Sequence, residues 1–372
     1  IFLGGWTCSI VNFILFVIIF KRLGYSITRL LCVEFSRKEI KEVFSFGGKL
    51  TLGNGFYGFT SMFQMTLISL FVLNFNTELG LYNQVGNLTT NISLIFAYTG
   101  ALIPAISEAH SHKKDKLVEY YIIEGIKWCY FFLFFMVAVI LATGEGFLMI
   151  SGSQWFGAVK YMNWYVLFCA WWPMAWFVDT IFQGTGHGGY NTIVWYIEQV
   201  TRLILLFVLL PIFQLFGLIF AYIPGIILKV ISAIIIIRKK ICSFKPYWVH
   251  TFLASGISAF IVYLMLEGIK MLIPWHNFVL GALLFMFGFI LGLIPFGFLS
   301  GFLGGFDDNT IKEFKAGIEM VRLTRIAFNP LRKAVELGHR LSPWRNKFAV
   351  TIFDAAREEA MSLTTKKVKM DI

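Results

Sequence analysis

Ionisable side chains inside long apolar runs are expensive to bury and so mark candidate functional groups, and four of them stand out. Glu198 and Arg202 are four residues apart, so a helix brings them to one face, where they can neutralise each other. Lys229 has no acid near it in sequence. It either pairs with Glu198, meets an anionic group of a ligand, or extends its ammonium to the membrane surface. Asp179 sits near the inner end of its run and reads as an interfacial residue.

Amides and hydroxyls add two polar stripes. Asn83, Asn87 and Asn91 recur every fourth residue, with Gln84, Thr90 and Tyr98 close to the same face. Asn54, Tyr57, Ser61 and Gln64 follow one another at spacings of three, four and three. On two consecutive antiparallel helices, such faces either wall a hydrated cavity or bond to neighbouring helices. Lys49, just ahead of the second stripe, supplies a further cation. Together these groups suit recognition of a polar, anionic substrate. Bond-breaking chemistry has no comparable footing, and the chain does not read as an enzyme. No loop sets paired acids beside a Gly-rich turn, and Asp307 and Asp308 open a basic tail with no nucleotide-binding context. The five cysteines (Cys8, Cys32, Cys129, Cys169, Cys242) form no CxxC pair and have no His at ligand spacing, so neither a disulfide framework nor a metal site is expected. No cofactor is implied, and the question of a coupling ion stays open.

The elements that position these groups are set by composition. Hydrophobic residues are 58% of the 372 and charged residues only 14%, with a mean hydropathy of +0.73, whereas a soluble domain carries roughly a quarter charged residues. The formal charge of +11 is spread between apolar runs and forms no single basic face, which argues against a nucleic-acid partner. A helix needs about 20 apolar residues to cross the hydrocarbon core. By that measure nine spans are expected, at roughly 1–20, 50–73, 84–106, 128–150, 161–182, 192–213, 215–237, 248–273 and 275–304. They are unalternating and rich in Leu, Ile and Phe, so the predicted fold is an all-α polytopic membrane protein. The chain opens inside an apolar run with no initiator Met and no signal-peptide pattern, and reads as beginning mid-protein.

Alternate connections differ in basic residues. The set 21–49, 107–127 and 238–247 holds fifteen Lys or Arg, including Lys127, against Lys160 and Lys270 in the other set. Because cytoplasmic loops retain Lys and Arg, residue 1 is expected outside and the C-terminus in the cytoplasm. Trp155, Trp164, Trp275 and Tyr161 fit an aromatic belt at the outer interface. The stretch 305–372, with 13 Lys or Arg against 9 Asp or Glu, reads as a basic cytoplasmic tail. Its residues Ile311, Phe314, Ile318 and Val321 have helical spacing. That helix either lies on the inner leaflet, with Lys312, Lys315, Arg322 and Arg325 toward anionic lipid, or docks on the bundle or a partner.

The stretch SFGGKLTLGNGFYGFTSMFQMTLISLFVLNFNTELGLYNQVGNL, with ALIPAISEAHS after it, resembles the start of the second lobe of the Wzx-type flippases that export lipid-linked oligosaccharides and polysaccharides, in the multidrug/oligosaccharidyl-lipid/polysaccharide exporter superfamily. A second stretch, FQGTGHGGYNTIVWYIEQVTRLILLFVLLPIFQLFGLIFAYIPGII, is similar to that family's Gln-Gly turn, Leu-Pro helix end and Ala-containing helix. The likeness runs over about residues 1–304 and consists of helices and turn residues, without a catalytic fingerprint. It implies a 14-helix transporter of two six-helix lobes and an extra pair. Residues 1–20 would be the last helix of the first lobe, 21–49 a cytoplasmic linker, 50–237 the complete second lobe, 248–304 the extra pair and 305–372 the tail, with about five helices preceding Ile1. Many members carry an acid early in the first helix of the second lobe. Gln64 stands there, which speaks against carboxylate-based ion coupling at that position.

The function expected from this resemblance is a flippase that carries a polyprenyl-linked oligosaccharide or polysaccharide precursor across the cell membrane by alternating access. Lys49, Arg202 and Lys229 would contact the pyrophosphate, and the Asn83, Asn87, Asn91 stripe the glycan. Membrane lipids and glycan-assembly enzymes are the partners this implies. A cation-coupled multidrug exporter of the same superfamily would use Glu198 or Asp179. From other classes, a membrane glycosyltransferase or polymerase and a non-transporting scaffold stay open.

Overall fold

The computed structural model describes residues 2–22, 36–245, 247–272, 278–319 and 322–370. Those residues are mostly helical, with no strand among them. The order is α1 (Phe2–Arg22), α2 (Arg37–Phe71), α3 (Phe75–Ser111), α4 (Asp115–Ser151), a 3-10 turn (Ser153–Ala158), α5 (Val159–Cys169), α6 (Trp172–Gly184), α7 (Gly188–Phe213) and α8 (Phe216–Lys240). A π turn (Val249–Leu253) then leads into α9 (Ala254–Leu272), followed by α10 (Phe278–Phe302), α11 (Asp308–Glu319), α12 (Arg322–Leu341) and α13 (Phe353–Met370). The chain divides into two compact units, residues 1–48 and 49–372. The first contains α1 and the start of α2; the second contains every group discussed below.

Six helical stretches among the described residues are long and apolar enough to cross a membrane: 115–151, 154–184, 188–213, 216–240, 249–272 and 279–302. The protein is therefore an all-α membrane protein. The expected spans 1–20, 50–73 and 84–106 fall on α1, α2 and α3, which are continuous helices but are not among the six. The expected span 161–182 is interrupted at Ala170 and Trp171, and α6 restarts with Pro173 in its first turn, where a missing N–H costs nothing.

Length accounts for one expectation that fails. At 1.5 Å per residue α4 is about 55 Å long, well beyond the ~30 Å of hydrocarbon. Its first turns therefore project past the apolar layer, and Lys127, expected in a loop, is a helical residue only 1% exposed. Tyr161 likewise is not a belt residue. It is buried and donates to Glu78 Oε2 at 2.5 Å, beside Lys160, which pins the first turn of α3 to α5. Burial would raise the Glu78 carboxyl, but the bonds from Lys160 and Tyr161 outweigh it and hold it below its ordinary value. Trp275, Val321 and Arg29 lie outside the described residues, as do the side chains of Asn91, Thr90, Tyr98, Arg322, Cys8 and Cys32.

Two apolar cores hold the second unit. The larger joins α2 to α8 through residues such as Ile68, Leu88, Ile106, Leu133, Phe177, Leu206 and Leu218. The smaller joins α4, α9 and α10 to α12 through Phe131, Val262, Phe296, Leu331 and Val335. Close approach of α10 and α12 depends on glycine: a Cβ at Gly338 would overlap the Phe298 carbonyl oxygen, and one at Gly301 the Val335 carbonyl oxygen. The helix at 308–319 docks on the bundle. Ile311 and Phe314 pack on the smaller core, Ile318 is buried, and the Phe314 ring lies 4.9 Å from that of Trp128, while Lys312 and Lys315 face out.

Candidate functional site

The deepest concentration of polar groups lies where α6, α7 and α8 meet the side of α2. The sequence sets it up through the hairpin of α7 and α8. Gln214 turns the chain with φ 53 and its side-chain carbonyl accepts the Leu73 amide at 2.9 Å, tying the hairpin to the end of α2. A Cβ at Gly225 would sit 3.0 Å from the Glu198 carbonyl oxygen, tighter than most such contacts, so the glycine eases the close approach of α8 to α7. One turn beyond Gly225 comes Lys229, whose ammonium is thereby placed among the side chains of α7.

Lys229 is 2% exposed. Its Nζ lies 2.9 Å from Asp179 Oδ2 on α6 and 3.2 Å from Glu198 Oε2 on α7, and 4.3 Å from the centre of the Trp195 ring. Trp195 Nε1 donates to Asp179 Oδ1 at 3.0 Å, and Gln199 Nε2 donates to Glu198 Oε1 at 3.1 Å. Each carboxylate thus has one bond to the shared ammonium and one to a neutral donor. Buried charges persist when they are paired and hydrogen-bonded in this way.

Arg202 is bound differently. At 1% exposure it is among the most buried side chains in the molecule, yet no carboxylate among the described residues lies within ion-pair distance. Its Nη1 donates to Gln199 Oε1 at 3.2 Å and its Nη2 to Gln64 Oε1 on α2, its Cζ stacks 3.8 Å over the Tyr222 ring, and its Nε has no partner. The expected Glu198 to Arg202 pair is therefore not formed. Glu198 turns to Lys229, and the guanidinium is held by neutral amides and an aromatic face. Those contacts fix its orientation while leaving its charge uncompensated at short range.

The remaining candidates divide by exposure. Tyr57 on α2 is 42% exposed and meets Trp195 edge-on at 5.5 Å, so it borders the network. Asn54 is exposed one turn away, and Gln64 is inside the network as a ligand of Arg202. Lys49 contributes its backbone, whose carbonyl accepts from Thr192 Oγ1 at 2.5 Å; its side chain is exposed and apart from the other cations. Asn83 and Asn87 are exposed on α3. From Tyr82 on the same helix a run of rings crosses to Tyr165, Phe168 and Tyr222, at centroid separations of 5.1, 5.9 and 5.2 Å, and ends under Arg202. Asp179, expected at the interface, is 7% exposed and a full member of the site.

The site is that of an all-helical membrane protein with a buried, internally bonded charge network bordered by polar and aromatic side chains. Neither protein-family models nor curated protein sequences yield a match to the chain.

Proposed function

We propose that the chain belongs to a flippase that moves a polyprenyl-linked oligosaccharide or polysaccharide precursor across the cell membrane, with Arg202 as the contact for the anionic linkage. The carrying observation is the state of Arg202: a fully buried guanidinium, pre-oriented by Gln64, Gln199 and Tyr222, with no carboxylate partner among the described residues. A guanidinium offers a planar fork suited to phosphate oxygens, and its low hydration makes it a better buried anion contact than an ammonium. The resemblance to the exporter superfamily, the exposed Tyr57, Asn54, Asn83 and Asn87 and the six apolar helices support the same reading. On this reading the protein has nine spans in the given chain, with residue 1 outside and the C-terminus cytoplasmic. The reaction is translocation, with the lipid-linked glycan as substrate.

A leaflet-resolved flipping assay of the full-length protein in liposomes tests the proposal. Arg202→Gln is expected to lose most flipping while keeping its fold, and Asn87→Leu to lose flipping with little change in thermal stability. Normal flipping by both folded variants contradicts the substrate path drawn here. For the orientation, a cysteine at Asn76 should react with an impermeant thiol reagent from outside and one at Ser111 should not, and reversed labelling overturns the topology.

A second reading is favoured by Asp179. Two buried carboxylates share the single ammonium of Lys229, so one carboxylate is in excess of that cation, and a cation-coupled multidrug exporter wants a spare buried carboxylate. Drug efflux that needs Asp179 and is indifferent to polyprenyl substrate would decide for it.

A further inference from the structure

A second buried polar cluster sits at the opposite functional extreme, where α4 projects from the bundle and meets the C-terminal helices. Glu124, Lys127, His250, Asp307 and Thr310 are each 7% exposed or less. Lys127 Nζ donates to His250 Nε2 at 2.5 Å and to Thr310 Oγ1 at 3.0 Å, and its ammonium lies 4.8 Å from the centre of the Phe306 ring. Asp307 accepts the amides of Thr310 at 2.7 Å and Val350 at 3.0 Å. Burial alone would raise the Asp307 carboxyl, but Lys127 and those two amides outweigh it and hold it below its ordinary value. Glu124 contrasts with it. Its Oε1 is 3.7 Å from Lys127 Nζ and 3.8 Å from His250 Nε2, and neither of its carboxylate oxygens has a hydrogen bond. His250 Nδ1 has none either.

Charge counting shows what the cluster lacks. With His250 neutral, the carboxylates of Glu124 and Asp307 face the one ammonium of Lys127, leaving one excess negative charge in a buried site. No group of three or more metal-ligating side chains is present among the described residues. A proton fits this charge and this space. An open cavity of about 440 Å³ is lined by Tyr120, Asn309, Lys312, Glu313, Phe353 and Arg357, among others. In its wall Tyr120 donates to Glu313 Oε2 at 2.5 Å, one helical turn from Glu124. Burial raises the Glu313 carboxyl above its ordinary value, which suits a group that hands protons inward.

We propose that Glu124 and His250 form a binding site for one proton, and that its occupancy sets how firmly the helices of residues 308–370 are held on the bundle. The proton comes from solvent and goes to His250 Nε2, the atom that now accepts from Lys127. An imidazolium N–H cannot stay 2.5 Å from an ammonium. Protonation therefore breaks the Lys127 to His250 contact, turns His250 toward Glu124, and displaces Lys127 from Thr310, the residue through which it holds the start of α11. The charged groups acting on His250 are Glu124 and Lys127 from α4 and Asp307, and Tyr120 and Glu313 in turn act on Glu124 and Asp307. His339 from α12 lies 3.0 Å from Asp308 at the start of the same helix.

The test is amide hydrogen exchange of the full chain in detergent or nanodiscs from pH 8 to 5, corrected for intrinsic rates. Exchange of segment 308–319 is expected to rise about tenfold on acidification across this range. His250→Gln, which keeps a hydrogen-bonding side chain but cannot bind the proton, should remove the rise. Glu124→Gln should move its midpoint to lower pH, and this second variant, together with the wild-type titration, keeps the test decisive if His250→Gln fails to fold. Exchange that is independent of pH, that falls on acidification, or that rises equally in a folded His250→Gln variant overturns the proposal.

Discussion

The two buried networks are mirror images in what they leave unsatisfied. Around Lys229 the carboxylates of Asp179 and Glu198 are fully bonded, and the group without a counter-charge is a cation, Arg202. Around Lys127 the cation has bonds to His250 and Thr310, and the group without a hydrogen bond is an anion, Glu124. A low-dielectric interior penalises either arrangement. On the two proposals above, each orphan marks what its site receives: an anion in the first, a proton in the second. The location agrees with this division. Arg202 and Lys229 lie near the middle of apolar helices, whereas the second network joins the projecting part of α4 to the C-terminal helices.

The largest effect expected from breaking this contrast is at Lys229. Lys229→Met leaves two buried carboxylates without a counter-ion and should cost about 3–5 kcal/mol, seen as a large drop in melting temperature in detergent. The triple variant Asp179→Asn, Glu198→Gln, Lys229→Met should recover most of that loss. A triple variant no more stable than the single one would show that the ion network is not what Lys229 supports.

Next in size is the attachment of the C-terminal helices. Gly338→Ala forces a methyl group into the Phe298 carbonyl and should cost roughly 1–3 kcal/mol at the α10 to α12 contact. Limited proteolysis would register it as faster cleavage within 322–370 while the apolar helices stay protected. Equal cleavage of variant and native chain would mean that the contact is not close.

A double-mutant cycle sharpens the comparison further. Glu198 with Lys229 should show a coupling of about 1 kcal/mol or more, and Glu198 with Arg202 a coupling near zero. The reverse ranking would restore the helix-local pair. The smallest effect concerns Asp308, whose carboxyl is held at about 2, from an ordinary 3.8, first by the Asn346 amide and then by His339 and Arg345. A carboxyl lowered in the folded state contributes stability that is fully present above its unfolded pKa and is lost as pH falls through its folded value. Acidification from pH 4 toward 2 should therefore weaken the start of α11, and Asp308→Asn should remove that dependence in the hydrogen exchange of segment 308–319.

These networks also show which parts of the molecule were legible in the sequence. Apolar runs of span length reveal helices because a lipid-facing backbone must bond within itself, and Glu198, Arg202 and Lys229 stand out there by cost alone. Their pairing was not legible. Spacing of four relates Glu198 to Arg202 within one helix, but the partner is chosen by the approach of α8 at Gly225, a contact between helices that local spacing does not encode. Asp179, near the end of its run, reads as interfacial in sequence, yet Trp195 and Lys229 cover it. The second network was missed because a ruler of about 20 residues ends the span at 128, whereas α4 begins at Asp115. A signal for it was present: Tyr120, Glu124 and Lys127 recur at spacings of four and three, a polar face on a helix that extends beyond its span.

The most direct test of the account is whether Arg202 receives the anion. A polyprenyl pyrophosphate added to the purified full-length protein should raise its melting temperature, because a ligand that binds only the folded state stabilises it by mass action. The account predicts that Arg202→Gln, itself folded, loses most of this shift, while Lys49→Gln retains it. A shift in Arg202→Gln equal to that of the native protein would contradict the assignment of Arg202 as the substrate's anion contact.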